Sequence, residues 1–113
     1  MKVKNQKETK KDEFRRNKKT GHPAYIFAKV GNEYKFIGTT HSKITEGMEN
    51  IKLDKNPNPK DKKTAYARPK TERGKTNDFK KKEEGWKLAK SDRAKVDKIK
   101  TQSEGKPKAK PKN

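Results

Sequence analysis

The sequence predicts an α+β fold: an antiparallel sheet of about four strands with one C-terminal helix packed across it. Three observations carry this expectation. A dense apolar run, Ala24–Ile37, is split by Gly31-Asn32; two shorter apolar segments follow at Asn50–Leu53 and Thr64–Lys70; Val96 and Ile99 sit three apart behind Ser91, as on one helical face.

Nine of the 14 residues from Ala24 to Ile37 are hydrophobic. Gly-Asn is a good two-residue turn because glycine takes a positive φ without steric cost. The expected strands are therefore 24–30 and 33–39. A two-residue turn sets Phe27 opposite Phe36, Lys29 opposite Tyr34 and Tyr25 opposite Gly38. Tyr25, Phe27, Tyr34 and Phe36 then form one aromatic strip, able either to stack bases or to lie beneath the helix. Carried outward, the ladder brings His22 opposite His41, the two histidines of the chain, with Cβ atoms roughly 4.5–5.5 Å apart.

A third strand is expected over 50–53 and a fourth over 64–70, ended or placed at an edge by Pro69. Between them, Asn56-Pro57-Asn58-Pro59 reads as a stiff connector, since each proline removes a donor and holds its predecessor extended. Residues 70–85 read as a long loop holding Phe79 and Lys80–Lys82, with Trp86 and Leu88 returning to the core. Ser91 is the expected N-cap of a helix over 92–101, with Asp92 favourable in its first turn.

The chain holds 113 residues with a net charge of +19, and only 24% are hydrophobic. The apolar residues concentrate in the middle, so the expected organisation is one small domain over 21–101. It is flanked by a basic flexible arm (1–20) and a Lys/Pro-rich disordered tail (102–113). Residues 1–20 carry nine Lys/Arg against Glu8, Asp12 and Glu13 and show no helical stripe, which suits either an arm that orders on a polyanion or a solubilising tail.

Absence of cysteine excludes a disulfide framework and thiolate zinc sites, and two histidines without an acidic cluster argue against a structural metal. No cofactor is expected, since glycine-rich nucleotide loops and paired catalytic carboxylates are absent. Met1-Lys2-Val3-Lys4 leads into more charge, so neither a signal peptide nor a membrane span is expected, and the cytoplasm is the expected location. A polycation of this strength most often neutralises phosphates, so nucleic acid is the expected partner, RNA before DNA.

Two imidazoles among hydroxyls and cations suit metal-free cleavage of RNA. The substrate supplies its own 2′-OH nucleophile and the protein needs a base, an acid and a cation. Histidine can serve as either acid or base near neutrality. The candidate catalytic set is His22, His41, Arg68 and Lys70, with Thr40, Ser42 and Tyr66 as hydroxyl donors. Lys43, Tyr66, Arg73, Lys75, Lys80, Lys81 and Lys82 are the candidate nucleic-acid contacts.

A resemblance enters at these residues. Gly38-Thr39-Thr40-His41-Ser42, Asn50–Leu53, Asn56–Pro59, Ala65-Tyr66-Ala67-Arg68-Pro69-Lys70 and Gly85-Trp86-Lys87-Leu88 look like segments of small basic proteins of bacterial mobile elements. Their layout is similar to ribonuclease toxins of the barnase/colicin/RelE-like superfamily. That likeness implies a small, basic, metal-independent endoribonuclease with His22, His41, Arg68 and Lys70 as type-matched site residues, and a neutralising acidic protein as a further partner. The alternatives are a non-catalytic DNA- or RNA-binding accessory protein of a mobile element, or an inhibitor of a nucleic-acid enzyme.

Overall fold

The computed structural model describes residues 7–104; of the tail expected over 102–113, residues 102–104 are helical instead, and the rest lies outside the described residues. The main departure from expectation comes first in the chain. Glu8–Asn17, read from its charge as part of a flexible arm, is a ten-residue strand, β1. Phe14 explains it: the ring is 1% exposed, with its centroid 5.2 Å from Tyr25 and 5.9 Å from Trp86. One aromatic side chain anchors the strand while its charged neighbours stay at the surface or pair across the sheet. The folded domain therefore begins before residue 21.

Strands β2 (Pro23–Val30) and β3 (Glu33–Thr40) form the expected hairpin around Gly31-Asn32. Near the turn the expected pairs hold: Val30 with Glu33, Lys29 with Tyr34, Ala28 with Lys35. A bulge at Phe27 then shifts the ladder by one, so Ile26, Tyr25 and Ala24 oppose Phe36, Ile37 and Gly38. Phe27 does not oppose Phe36, and His22 is not a ladder partner of His41. The extra residue lets Phe27 and Ala28 bury together on the helix side with Tyr25 and Ile37. The aromatic strip is split as a result: Tyr34 and Phe36 face the other way, with Ala24, Ile26 and Phe79.

After β3 come a small separate hairpin, β4 (Ile44–Thr45) and β5 (Met48–Glu49), and the short strands β6 (Ile51–Lys52) and β7 (Tyr66–Ala67). The last two are the expected third and fourth strands, shortened to two residues each; β7 pairs with Thr39 and Thr40 at the end of β3. The expected loop over 70–85 instead holds β8 (Glu72–Lys75), a 3-10 turn (Thr76–Asp78) and β9 (Phe79–Lys82). Seven strands, not four, make the main sheet.

Five of these run in the order β9-β1-β2-β3-β8, and the two outer ones are joined by only the three residues of the 3-10 turn. So short a link between the two edges requires the sheet to curl round on itself. Inside the curl, the Phe79 ring meets Phe36 at 5.0 Å and Tyr34 at 5.4 Å, both edge-on. Gly74 of β8 makes this closure possible, because a Cβ there would lie 3.1 Å from the Phe79 ring and 3.4 Å from that of Phe36.

The outer face of β2 and β3 carries the helix α1 (Lys90–Glu104), longer at both ends than expected. Leu88, Val96 and Ile99 pack on Tyr25, Phe27 and Ile37, and the Lys100 ammonium lies 5.1 Å over the Phe27 ring. Ser91 is not the cap: the N–H groups of Asp92 and Arg93 donate to the Ala89 carbonyl, while the Ser91 hydroxyl donates to Asp54 Oδ2 at 2.6 Å. Asp92 is fully buried and accepts from the backbone N–H groups of Asp54 (2.7 Å) and Lys55 (3.1 Å). Through that carboxylate the helix holds residues 54 and 55, immediately ahead of the connector over 56–59. Among the described residues no helix is long and apolar enough to cross a membrane.

Candidate functional site

The loop 18–22 between β1 and β2 and the segment after β3 emerge at the same end of the sheet. His22 has its backbone tied down: its N–H donates to Thr20 Oγ1 (3.1 Å) and its carbonyl accepts from Asn17 N (2.9 Å). His41 directly follows β3, where the Thr39 hydroxyl reaches across to the Pro23 carbonyl at 2.8 Å. Although the bulge removes the ladder pairing, both histidines line one small cleft of about 100 Å³ that opens to solvent.

The third wall is the connector. Three successive Asx turns shape it: Asn56 Oδ1 accepts from Asn58 N (2.9 Å), Asn58 Oδ1 from Lys60 N (2.9 Å), and Asp61 Oδ1 from Lys63 N (3.0 Å). Asn56 Nδ2 closes the loop onto the Lys63 carbonyl, and Pro57 is buried beneath it. This leaves Asp61 Oδ2 free to meet His41 Nε2 at 2.8 Å. The Lys63 N–H first, and His41 second, hold the Asp61 carboxyl below the usual carboxylate range. An ionised Asp61 requires a proton on Nε2, which leaves Nδ1 as the nitrogen of His41 that exchanges protons in its neutral form.

Arg16 of β1 supplies a cation to this cleft, its Nη1 donating to the Gly21 carbonyl at 2.6 Å. Trp86 closes the floor beside Phe14. A second cavity of about 110 Å³ shares His22, Pro23, Thr39 and Thr40 with the cleft and adds Arg68. His22 thus stands between His41 on one side and Arg68 on the other. Arg68 is largely committed: Nε donates to Asn50 Oδ1 (3.0 Å) and Nη2 lies 3.7 Å from a Glu46 carboxylate oxygen. Nη2 is nonetheless a buried donor with no hydrogen-bond acceptor among the described residues.

Of the catalytic candidates, His22 and His41 share the cleft, Arg68 neighbours it and Lys70 lines neither cavity. Thr40 lines both; Ser42, Lys43 and Tyr66 line neither. Lys81 and Lys82 on β9 line an adjoining groove with Lys60, while Lys80 points its carbonyl to Arg15 Nη1. Arg73 and Lys75 lie on β8 at the far edge of β3, away from the histidines, and Arg73 is within 3.5 Å of Glu33. The residues that sequence reasoning missed are Arg16, Asn58 and Asp61. The alternation of Asx residues through 56–61 was a signal for the turns, but nothing local indicated which side chain Asp61 would meet. Among the described residues no group of three or more His, Asp or Glu is gathered to hold a metal ion.

Comparison with protein-family models, with curated proteins and with solved structures finds no match to this chain.

Proposed function

We propose that this protein binds single-stranded RNA and cleaves it at the His22–His41 cleft without a metal ion, as an endoribonuclease of the toxin-like kind. The observation that carries the reading is the shared cleft itself: two histidines, one of them held by Asp61, with Arg16 beside them. His41 takes the proton of the 2′-OH as the 2′-oxygen attacks phosphorus. His22 in its protonated form delivers a proton to the departing 5′-oxygen as the P–O5′ bond breaks. The products are a 2′,3′-cyclic phosphate and a 5′-hydroxyl, with no net proton change. Arg16 stabilises charge on the phosphoryl oxygens, the role first assigned to Arg68 or Lys70.

A second reading, binding without cleavage, is favoured by the exposure of the His41 side chain (51%), which also suits a surface ion pair with Asp61. One experiment separates them. The protein is incubated with a defined RNA in excess EDTA, and the products are analysed for 2′,3′-cyclic phosphate ends. Cleavage in the wild type that is lost in H22A and H41A supports the enzyme. Intact RNA with retained binding supports the accessory binder.

A further inference from the structure

We infer that Trp86 is a base-stacking subsite, placed to hold a nucleotide next to the one in the histidine cleft. This rests on the proposed RNA-binding function but not on cleavage. Trp86 is the chain's one tryptophan, and it is only partly buried. One side meets Phe14 at 5.9 Å and 48°, which fixes the indole in the core. The rest of the side chain lines two openings at once: the cleft with His22 and His41, and a wider groove of about 590 Å³. Arg16 and Asn58 also line both, so these three residues form the saddle between them.

The chemistry changes across that saddle. On one side lie imidazoles and a carboxylate, suited to moving protons. On the other lie Lys60, Lys81 and Lys82, suited to phosphates, tempered by Glu83 and Glu84. A flat indole between a reaction cleft and a lysine-lined groove is what a polynucleotide strand requires: a base stacks on the ring while its phosphates pass to the ammonium groups. Asn58 adds a base-edge contact, because its Oδ1 is taken by Lys60 N while its carboxamide N–H₂ faces no acceptor among the described residues. An anionic membrane surface would use the lysines but offers no flat π-face to the indole.

Because Trp86 is the sole tryptophan, its fluorescence reads the subsite directly. The full chain is titrated with a 2′-O-methyl oligouridylate, which no 2′-OH-dependent nuclease can cut, and separately with inorganic polyphosphate of matched charge. The expected result is that both bind, each competing with the other, but only the oligonucleotide quenches Trp86. W86F keeps a stacking ring and the Phe14 contact and retains binding within a few-fold. W86A raises the oligonucleotide Kd about 5- to 150-fold, the range for one lost base–aromatic stack, and leaves the polyphosphate Kd unchanged. Equal quenching by polyphosphate, oligonucleotide binding without quenching, or no binding overturns the subsite. The wild-type titration decides this even if W86A does not fold. Loss of cleavage in H41A with quenching intact leaves the subsite standing, and cleavage without quenching removes the subsite while sparing the enzyme.

Discussion

Asp61 engages His41 through Nε2, at 2.8 Å, and so dictates which edge of the imidazole remains for chemistry. The carboxylate comes from a loop stapled by its own Asx turns, and the histidine from the end of a sheet strand, 20 residues apart in the chain. Two rigid elements therefore meet at one hydrogen bond.

This pairing can be tested in the absence of substrate. In H41A, Asp61 loses the second of the contacts that hold its carboxyl low, while the Lys63 N–H and the Asn56 side chain remain. Its titration, followed by carboxyl-carbon NMR, should move up part of the way toward the ordinary aspartate value. Removing the base should also lower any cleavage about 10²- to 10⁴-fold. A titration curve that does not move would mean that the pair does not form in solution.

Phe14 makes β1 part of the core. F14A should cost about 3–5 kcal/mol in urea denaturation, a large share of the 5–15 kcal/mol typical of whole domains. Removing residues 1–20 should unfold the protein, because β9 loses its one partner strand, β2 loses one of its two, and the core loses Phe14. A truncated chain with a cooperative, native-like melt would show that β1 is dispensable.

Gly74 should not tolerate a side chain. G74A places a methyl 3.1 Å from the Phe79 ring, which is itself locked edge-on against Phe36 and Tyr34. Overpacking of this kind costs about 1–3 kcal/mol. Chemical denaturation measures it, and a G74A protein as stable as the wild type would mean that the closed end of the sheet is loosely packed.

Asp92 carries the connector. D92A leaves two backbone donors, at Asp54 and Lys55, facing a void, at about 1–3 kcal/mol for each group left unpaired. Because the connector bears Asn58 and leads directly into Asp61, RNA affinity should fall together with stability. Affinity unchanged in a destabilised D92A protein would detach the connector from the site.

Stability should be level through the neutral range and fall at both extremes. Burial raises Asp12, but hydrogen bonds from Arg93 and Tyr25, with the charge of Arg93, outweigh it and leave the carboxyl low. Asp54 is held low first by the Ser91 hydroxyl and then by Lys95. Lowered carboxyls contribute stability that is complete above their ordinary range, near pH 4, and is lost as pH falls through the folded values. Burial first, then Asp12, raises the Tyr25 phenol, so its contribution is complete below about pH 10 and drains away above it. A melting temperature that rises on acidification below pH 4 would contradict this account.

Some of this was legible without coordinates. The β2–β3 hairpin, the turn at Gly31-Asn32 and the helix bearing Val96 and Ile99 follow from local periodicity, which reports which residues seek burial. The two short strands at Ile51–Lys52 and Tyr66–Ala67 were legible, in place though not in length, for the same reason. β1 was not, because a strand whose one apolar residue is Phe14, among lysines and glutamates, has no periodic signature. β8 and β9 escaped for a related reason: Phe79 is buried only because the sheet curls to meet it.

The candidate site divides along the same line. Sequence alone determined the reagents: two histidines, a basic chain, one tryptophan and a rigid Asx/Pro connector, since composition and backbone restriction are local properties. Only the tertiary structure decided which of them meet. The bulge at Phe27 cancelled the ladder pairing of His22 with His41, and the junction of loop 18–22, the end of β3 and the connector brought them together again. Arg16 and Asp61 entered the cleft, and Lys70 was left out of it, through the docking of segments distant in the chain. Such docking follows from the burial of Phe14, Pro57 and Asp92 together, and no stretch of sequence contains all three.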